Sequence, residues 1–173
     1  MRIRRRSDVD LARVNRAVAE LDIPAAIWKT CPWQPRHLIE TGLRHWLRCA
    51  GAALRDRQVI GMPSHAVDEA WHGLILCTAR YAGFCDDAYG RFLHHHPDGG
   101  TPDTVVGTAG SMSDQLGRTV VAWSLVAEPG ERSVLWDVDS RVGVAEPWGV
   151  APERVAAVMA ELAAGREKLA DVQ

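Results

Sequence analysis

The stretch AVDEAWHGLILCTARYAGFC, residues 66 to 85, restricts the fold more than any other part of the chain. Its apolar residues recur at helical spacing, so it reads as one helix running from about 65 to Tyr89. Unrolled at about 100° per residue, Val67, Ala70, Leu74, Cys77, Tyr81, Phe84, Cys85 and Ala88 form one stripe, suited to a core. The opposite side holds His65, Asp68, His72, Leu76, Ala79, Gly83 and Asp86. A solvated face is normally rich in Arg, Lys, Glu and Gln, yet between 70 and 85 the one charged residue is Arg80. The second face is therefore expected to be covered by other parts of the chain, with Ala79 and Gly83 admitting a close neighbour.

A helix buried on two sides needs partners, and the rest of the chain supplies helical patterns. Helices are expected over about 8–21, with Ser7 as cap, and over about 36–55, with Ile39, Leu43, Trp46, Ala50 and Ala53 or Leu54 as the apolar stripe. IPAAIWKTCPWQP between them reads as a connector broken by Pro24, Pro32 and Pro35. Ser64 is a cap for the helix in question. After Gly90, HHHPDGGTPDTVVGTAG reads as a Gly/Pro-rich loop. Ser111 with Asp114 opens a helix to about 127; RTVVAWSLV inside it has some strand character, but helix is the preferred reading. A short helix at about 133–141 and a last one from Pro152 complete the pattern. The expectation is an all-α, single-domain bundle of five to six helices spanning 1–173, with residues 1–6 a frayed basic terminus.

Composition narrows the function classes. The 173 residues carry a formal net charge of −2, so no strong pull towards nucleic acid is expected. No apolar run approaches the roughly 20 residues of a membrane span, and MRIRRRSDVD lacks the apolar segment of a secretory signal. A cytoplasmic location is the expectation. The four cysteines, Cys31, Cys49, Cys77 and Cys85, show no CxxC spacing and read as thiols, mostly buried as small hydrophobes.

The chemistry sits on the second face of the central helix. Asp68 and His72 are four residues apart, so Asp68 can accept a hydrogen bond from one ring nitrogen of His72. The other nitrogen is then left as a base or a metal ligand. If RFLHHHPDGG doubles back along the helix, His94 or His95 can join His72. Adjacent residues of an extended segment point opposite ways, so at most two of the three histidines would face one ion. Two imidazoles with Asp68 or Asp86 would form a His/carboxylate site for one divalent transition metal, with zinc, iron and copper not distinguished. Cys85 lies about 140° from His72 on an unbroken helix and would join only if the helix broke before it. His45 and Cys49 form another i,i+4 pair and read as structural. Asp68–His72 as a structural hydrogen bond, and the histidines as a polar loop, remain the alternative to a metal site. Trp71, Tyr81 and Phe84 read as core.

MPSHAVDEAWHGLILCTARYAGFC followed by GRFLHHHP resembles the bacterial glycine-rich domain-containing-protein-like family, through Pro63, Ser64, Val67, Asp68, Trp71, His72, Tyr81, Phe84, Cys85, Gly90, Arg91, Phe92, His94, His95 and Pro97. Tyr89 stands where that pattern has Phe, and the glycine-rich tail is absent. SVLWDVDSRVGV is similar to a later segment of the pattern and places Asp139 at its aspartate. The resemblance implies that Asp68, His72, His94 and His95 belong to one recurring constellation, with His96 outside it, and it implies no particular reaction. The reading that combines these features has His72 and His95 as ligands, Asp68 as ligand or partner, and His94 as ligand or acid/base. Asp139 and Cys85 carry lower weight. The substrate would be a small organic molecule or peptide, with neither nucleic acid nor membrane as partner. A non-catalytic scaffold whose Asp and His residues form a polar network is the alternative.

Overall fold

The computed structural model describes residues 9–95 and 110–170, with side chains as far as 165. Seven α-helices and one 3-10 helix account for the regular structure, and the described residues contain no strand. The frayed-terminus reading of residues 1–6, Ser7 as a cap, His96 and most of the Gly/Pro-rich stretch lie outside the described residues.

Helix α1 (Leu11–Glu20) starts after Asp10, whose carboxylate accepts from the Ala12 N–H at 3.0 Å. Its Val14 and Val18 are buried. Helix α2 (Arg36–Asp56) is the central post and packs against α1 and against four later helices, α3 (His65–Leu76), α4 (Thr78–Tyr89), α5 (Met112–Val126) and α6 (Val138–Val142). That explains why its buried set exceeds a single stripe and takes in Leu47, Cys49 and Ala52 as well as Ile39, Leu43 and Trp46. α5 opens with the capping box of Ser111 and Asp114, and the 118–126 stretch is helical. The short helix is α6, beginning at Val138, with residues 134–137 forming the turn before it. The last helix, α7 (Pro152–Ala170), packs on α5.

Two features of the connector and the central segment differ from the sequence reading. Residues Ala25–Lys29 of the Pro-rich connector form the 3-10 helix, which packs on α3 through Ile27. The contact depends on Gly73: a Cβ there would come within 2.7 Å of Ile27 Cα and 2.9 Å of its carbonyl oxygen. Backbone on backbone at that range leaves no side chain to move aside, so a methyl group would force the 3-10 helix off α3.

The long central helix is in fact two. Cys77 (φ −80°, ψ 56°) leaves helical geometry, so α3 ends at Leu76 and α4 begins at Thr78. No Pro or Gly causes the break. α3 is committed to α2 and the 3-10 helix, whereas α4 packs along α1. There Arg13 donates to the carbonyls of Asp86 and Asp87, and Arg80 pairs with Asp22. These competing attachments bend the chain at the one residue between them. The core stripe survives the bend, with Val67, Ala70, Leu74, Tyr81, Phe84, Cys85 and Ala88 all buried.

The covered second face does not survive the bend. Leu76 is 72% exposed, and Ala79 and Gly83 lie on the surface, with nothing near the place a Gly83 Cβ would occupy. Covering is confined to the α3 part, around Asp68 and His72. No helix among the described residues is long and apolar enough to cross a membrane.

Candidate functional site

Helix α3 is anchored at its start by a residue far along the chain. The Ser64 hydroxyl accepts from the Val67 N–H (3.0 Å) and donates to Asp139 Oδ1 (2.6 Å). Asp139, fully buried at the start of α6, also accepts from the N–H groups of His65 (2.8 Å), Ala66 (3.0 Å) and Trp148 (2.9 Å). A carboxylate among the unpaired N–H groups of a helix N-terminus is favoured by both hydrogen bonding and the helix dipole. These four donors occupy both oxygens of Asp139, which places it beneath the start of α3 as an anchor.

The second half of the site arrives from the end of α4. Gly90 takes a left-handed conformation (φ 68°) and returns its N–H to the Asp86 carbonyl, which reverses the chain. Residues 91–95 then run back as a strap towards α3. Arg91 donates to the Leu54 carbonyl (2.8 Å), and Phe92 sits edge-on to the Tyr81 ring. The Trp71 indole N–H donates to the Tyr81 hydroxyl (3.1 Å), which donates onward to the Leu93 carbonyl (2.8 Å). Trp71 and Tyr81 are core residues, and through this relay they fix the height of the strap. His95 then rests against Trp71, ring centroids 4.8 Å apart.

Asp68, His72 and His95 are brought together by these two supports. His72 Nε2 and His95 Nε2 are 2.9 Å apart. Asp68 Oδ2 lies 3.7 Å from His72 Nε2, and Asp68 Oδ1 lies 3.6 Å from His95 Nε2. Donor atoms bound at 2.0–2.2 Å in tetrahedral array lie about 3.3 Å apart, and adjacent octahedral ligands about 2.9 Å. The separations, taken to the nearer Asp68 oxygen for each histidine, bracket those values, and one ligand atom from each of the three residues lies within 4.8 Å of the others, a spacing one ion can share. The side chains of Asp68 and His95 are 17% and 19% exposed and that of His72 is 36%, so the cluster is sheltered on the helix side and open at His72.

The direct Asp68–His72 hydrogen bond expected from the spacing is not formed, since 3.7 Å exceeds hydrogen-bond range. Asp68 instead faces both imidazoles, which touch each other directly. His94 is exposed, its ring against Phe92, and is not in the three-residue group. Asp86 is exposed on α4, with its backbone carbonyl holding Arg13. The helix does break before Cys85, yet Cys85 remains buried beside Tyr81 and the Leu93 backbone, and burial raises its thiol pKa. A thiol so placed resists forming the thiolate a metal needs.

His45 and Cys49 are in the core beside α5. His45 packs on Trp123 with centroids 4.4 Å apart, and burial lowers its pKa to about 4. Next to it Arg48 grips Glu131 with two bonds of 2.7 and 3.0 Å. Sequence reasoning passed over Glu69. Its carboxylate lies 3.8 Å from His72 Nδ1 and 3.8 Å from His65 Nε2. The signal was present in the i,i+3 and i,i+4 spacings, but a glutamate on a helix is ordinarily a solvated charge.

Fold and site together define an all-helical protein with a His/carboxylate cluster at a helix–strap junction. The family model described as UCP032817-like matches residues 28–119, and the chain belongs to that family. The match takes in α2, α3, α4 and the strap, and therefore all three clustered residues. Neither the curated proteins nor the solved structures contain a match.

Proposed function

We propose that the chain is a small metal-binding protein, and a metalloenzyme, that holds one divalent transition metal through His72, His95 and Asp68. The single observation that carries the reading is the convergence of three ligand atoms from α3 and a separately anchored strap, at separations one ion can span. Three protein ligands leave coordination positions open, the arrangement of catalytic zinc sites and of two-histidine, one-carboxylate iron sites. A metal so held activates bound water by lowering its pKa, or binds an oxygen donor of a substrate. In this reading Asp68 is ligand or base, and His94, next to His95 on the strap, is the acid/base candidate. The substrate is a small organic molecule or peptide approaching from the open His72 side, in the cytoplasm. As part of the same proposal, the Trp-His and His-His-x-Pro motifs support a kinship with the glycine-rich domain-containing-protein-like family.

One observation favours a second reading, a structural polar network. The 2.9 Å between the two Nε2 atoms is also the length of an ordinary hydrogen bond between neutral imidazoles of opposite protonation. Metal analysis of protein purified without an affinity tag separates the two. Stoichiometric metal, lost in His72→Ala and in His95→Ala, supports the metal site. Metal-free protein that stays metal-free on dialysis against zinc, iron(II) or copper, with variants that merely lose stability, supports the network.

A further inference from the structure

A ligating histidine must present a lone pair on one nitrogen, and the group facing its other nitrogen decides which one it is. His72 directs Nε2 into the cluster and Nδ1 towards Glu69 Oε1, 3.8 Å away. Nδ1 is the nitrogen through which His72 approaches Glu69, whereas Nε2 is the one through which it approaches Asp68. The same oxygen is 3.8 Å from His65 Nε2. Glu69 therefore stands between two histidines, one turn behind it and one turn ahead, on the same side of α3 as the cluster. A movement of about 1 Å by this flexible side chain brings its oxygen to hydrogen-bond distance from Nδ1.

The surroundings of Glu69 are built outward in layers. The Glu69 backbone carbonyl accepts from the Thr30 hydroxyl at 3.4 Å. His65 is held between Trp33 (centroids 5.0 Å, tilted 58°) and Trp148 (5.0 Å, nearly parallel at 17°). Trp148 is in turn fixed by its N–H to Asp139, the carboxylate that anchors the start of α3. A half-exposed tryptophan whose backbone N–H is tied to a buried acid thus lies nearly flat on a histidine that faces Glu69.

We propose that Glu69 is the positioning residue of the cluster: it holds the proton of His72 on Nδ1 and so commits Nε2 to the site. His65, steadied by Trp33 and Trp148, keeps Glu69 in place. In metal-free protein the assignment requires the 2.9 Å contact to run from His95 Nε2–H to the lone pair of His72 Nε2. Asp68 lies 3.6 Å from His95 Nε2 and 3.7 Å from His72 Nε2, so it serves either atom, and the carboxylate at His72 Nδ1 makes the choice. That Nε2 serves a metal rests on the function proposed above; the tautomer does not.

The test has two readouts. Long-range 1H–15N spectra of metal-stripped protein should show His72 protonated on Nδ1 and His95 on Nε2. In Glu69→Leu, His72 should move to the Nε2–H form, with helix content retained by circular dichroism. In cobalt(II) titrations, Glu69→Leu should bind about 10- to 100-fold more weakly than the parent, with a changed d–d absorption band. Glu69→Gln, whose amide oxygen still accepts from Nδ1–H, should recover most of that loss. An Nε2–H tautomer of His72 in the parent, or a Glu69→Leu variant with unchanged tautomer and unchanged cobalt affinity, overturns the assignment. A parent that binds no cobalt but shows the Glu69-dependent Nδ1–H tautomer removes the metal reading and supports the role of Glu69.

Discussion

Replacing Asp139 by Asn keeps the shape of the side chain and removes half of what it does. The carboxylate accepts from Ser64 Oγ and Ala66 N–H on one oxygen, and from His65 N–H and Trp148 N–H on the other. Asparagine offers one acceptor oxygen, so its NH2 group must face either the His65 and Trp148 N–H groups or the Ala66 N–H, beside which the Ser64 hydroxyl can turn and accept. Hydrogen bonds to a charged acceptor contribute about 1.5–3 kcal/mol each, and a buried donor left unsatisfied costs about 1–3 kcal/mol. The cheaper orientation leaves one such donor, and with the weakened charge at the α3 N-terminus the loss comes to about 2–4 kcal/mol. For a chain of this size that is a fall in melting temperature of roughly 5 to 12 °C. Urea unfolding of Asp139→Asn should show the lower midpoint with an unchanged slope. Native-state hydrogen exchange should speed up at the Ala66 amide, or at those of His65 and Trp148 if the side-chain amide is turned the other way. A loss below about 1 kcal/mol with these amides still protected would refute the claim that Asp139 anchors α3 and the Trp148 loop.

Other perturbations reach the strap and the core. Tyr81→Phe leaves the Trp71 indole N–H and the Leu93 carbonyl without their shared partner, at a cost of about 2–4 kcal/mol, and any metal affinity should fall as the strap loosens; thermal melts and cobalt titration check both. His45 predicts an acid-side loss of stability. Burial holds its folded pKa at about 4, below the ordinary 6.5, so its neutral form is the one the fold favours. Its contribution is complete above pH 6.5 and declines as pH falls towards 4, where the unfolded chain takes up a proton that the folded chain does not. The integrated effect is about 3 kcal/mol, and Glu131, held below its usual range by Arg48, adds a loss at still lower pH. Denaturant titrations from pH 8 to 4 should show this slope, and His45→Gln should flatten it between pH 6.5 and 4.

Much of the architecture is legible because it is local. The capping box at Ser111 and Asp114, the stripe of α2 and the core stripe through Tyr81 and Cys85 are each set by spacing over a few turns. The break at Cys77 is not legible, because the hydrophobic period passes through it without a Pro or Gly and its cause is the separate docking of α3 and α4. The same break explains why Ala79 and Gly83 are on the surface: the face that was to be covered ends with α3. At the site, the i,i+4 pair of Asp68 and His72 and the unusual HHHP are visible in the residues, and the doubling back is a conditional that Gly90 and Tyr81 satisfy in three dimensions. Glu69 escapes notice because its meaning depends on which nitrogen of His72 faces the cluster. The anchoring role of Asp139 depends on a contact across more than seventy residues.

The strap that carries His95 has a consequence for the chain as a polymer. It meets α3 through the His72–His95 contact and the Trp71 ring, yet His72 and His95 are 23 positions apart in sequence. An ion shared by them closes a ring of that length, as a covalent bridge would. By the loop-entropy estimate for bridges, a ring of this size restricts the unfolded chain by about 3 kcal/mol. Filling such a site would thus act as a removable cross-link, joining the fate of the strap to that of the helix beneath it.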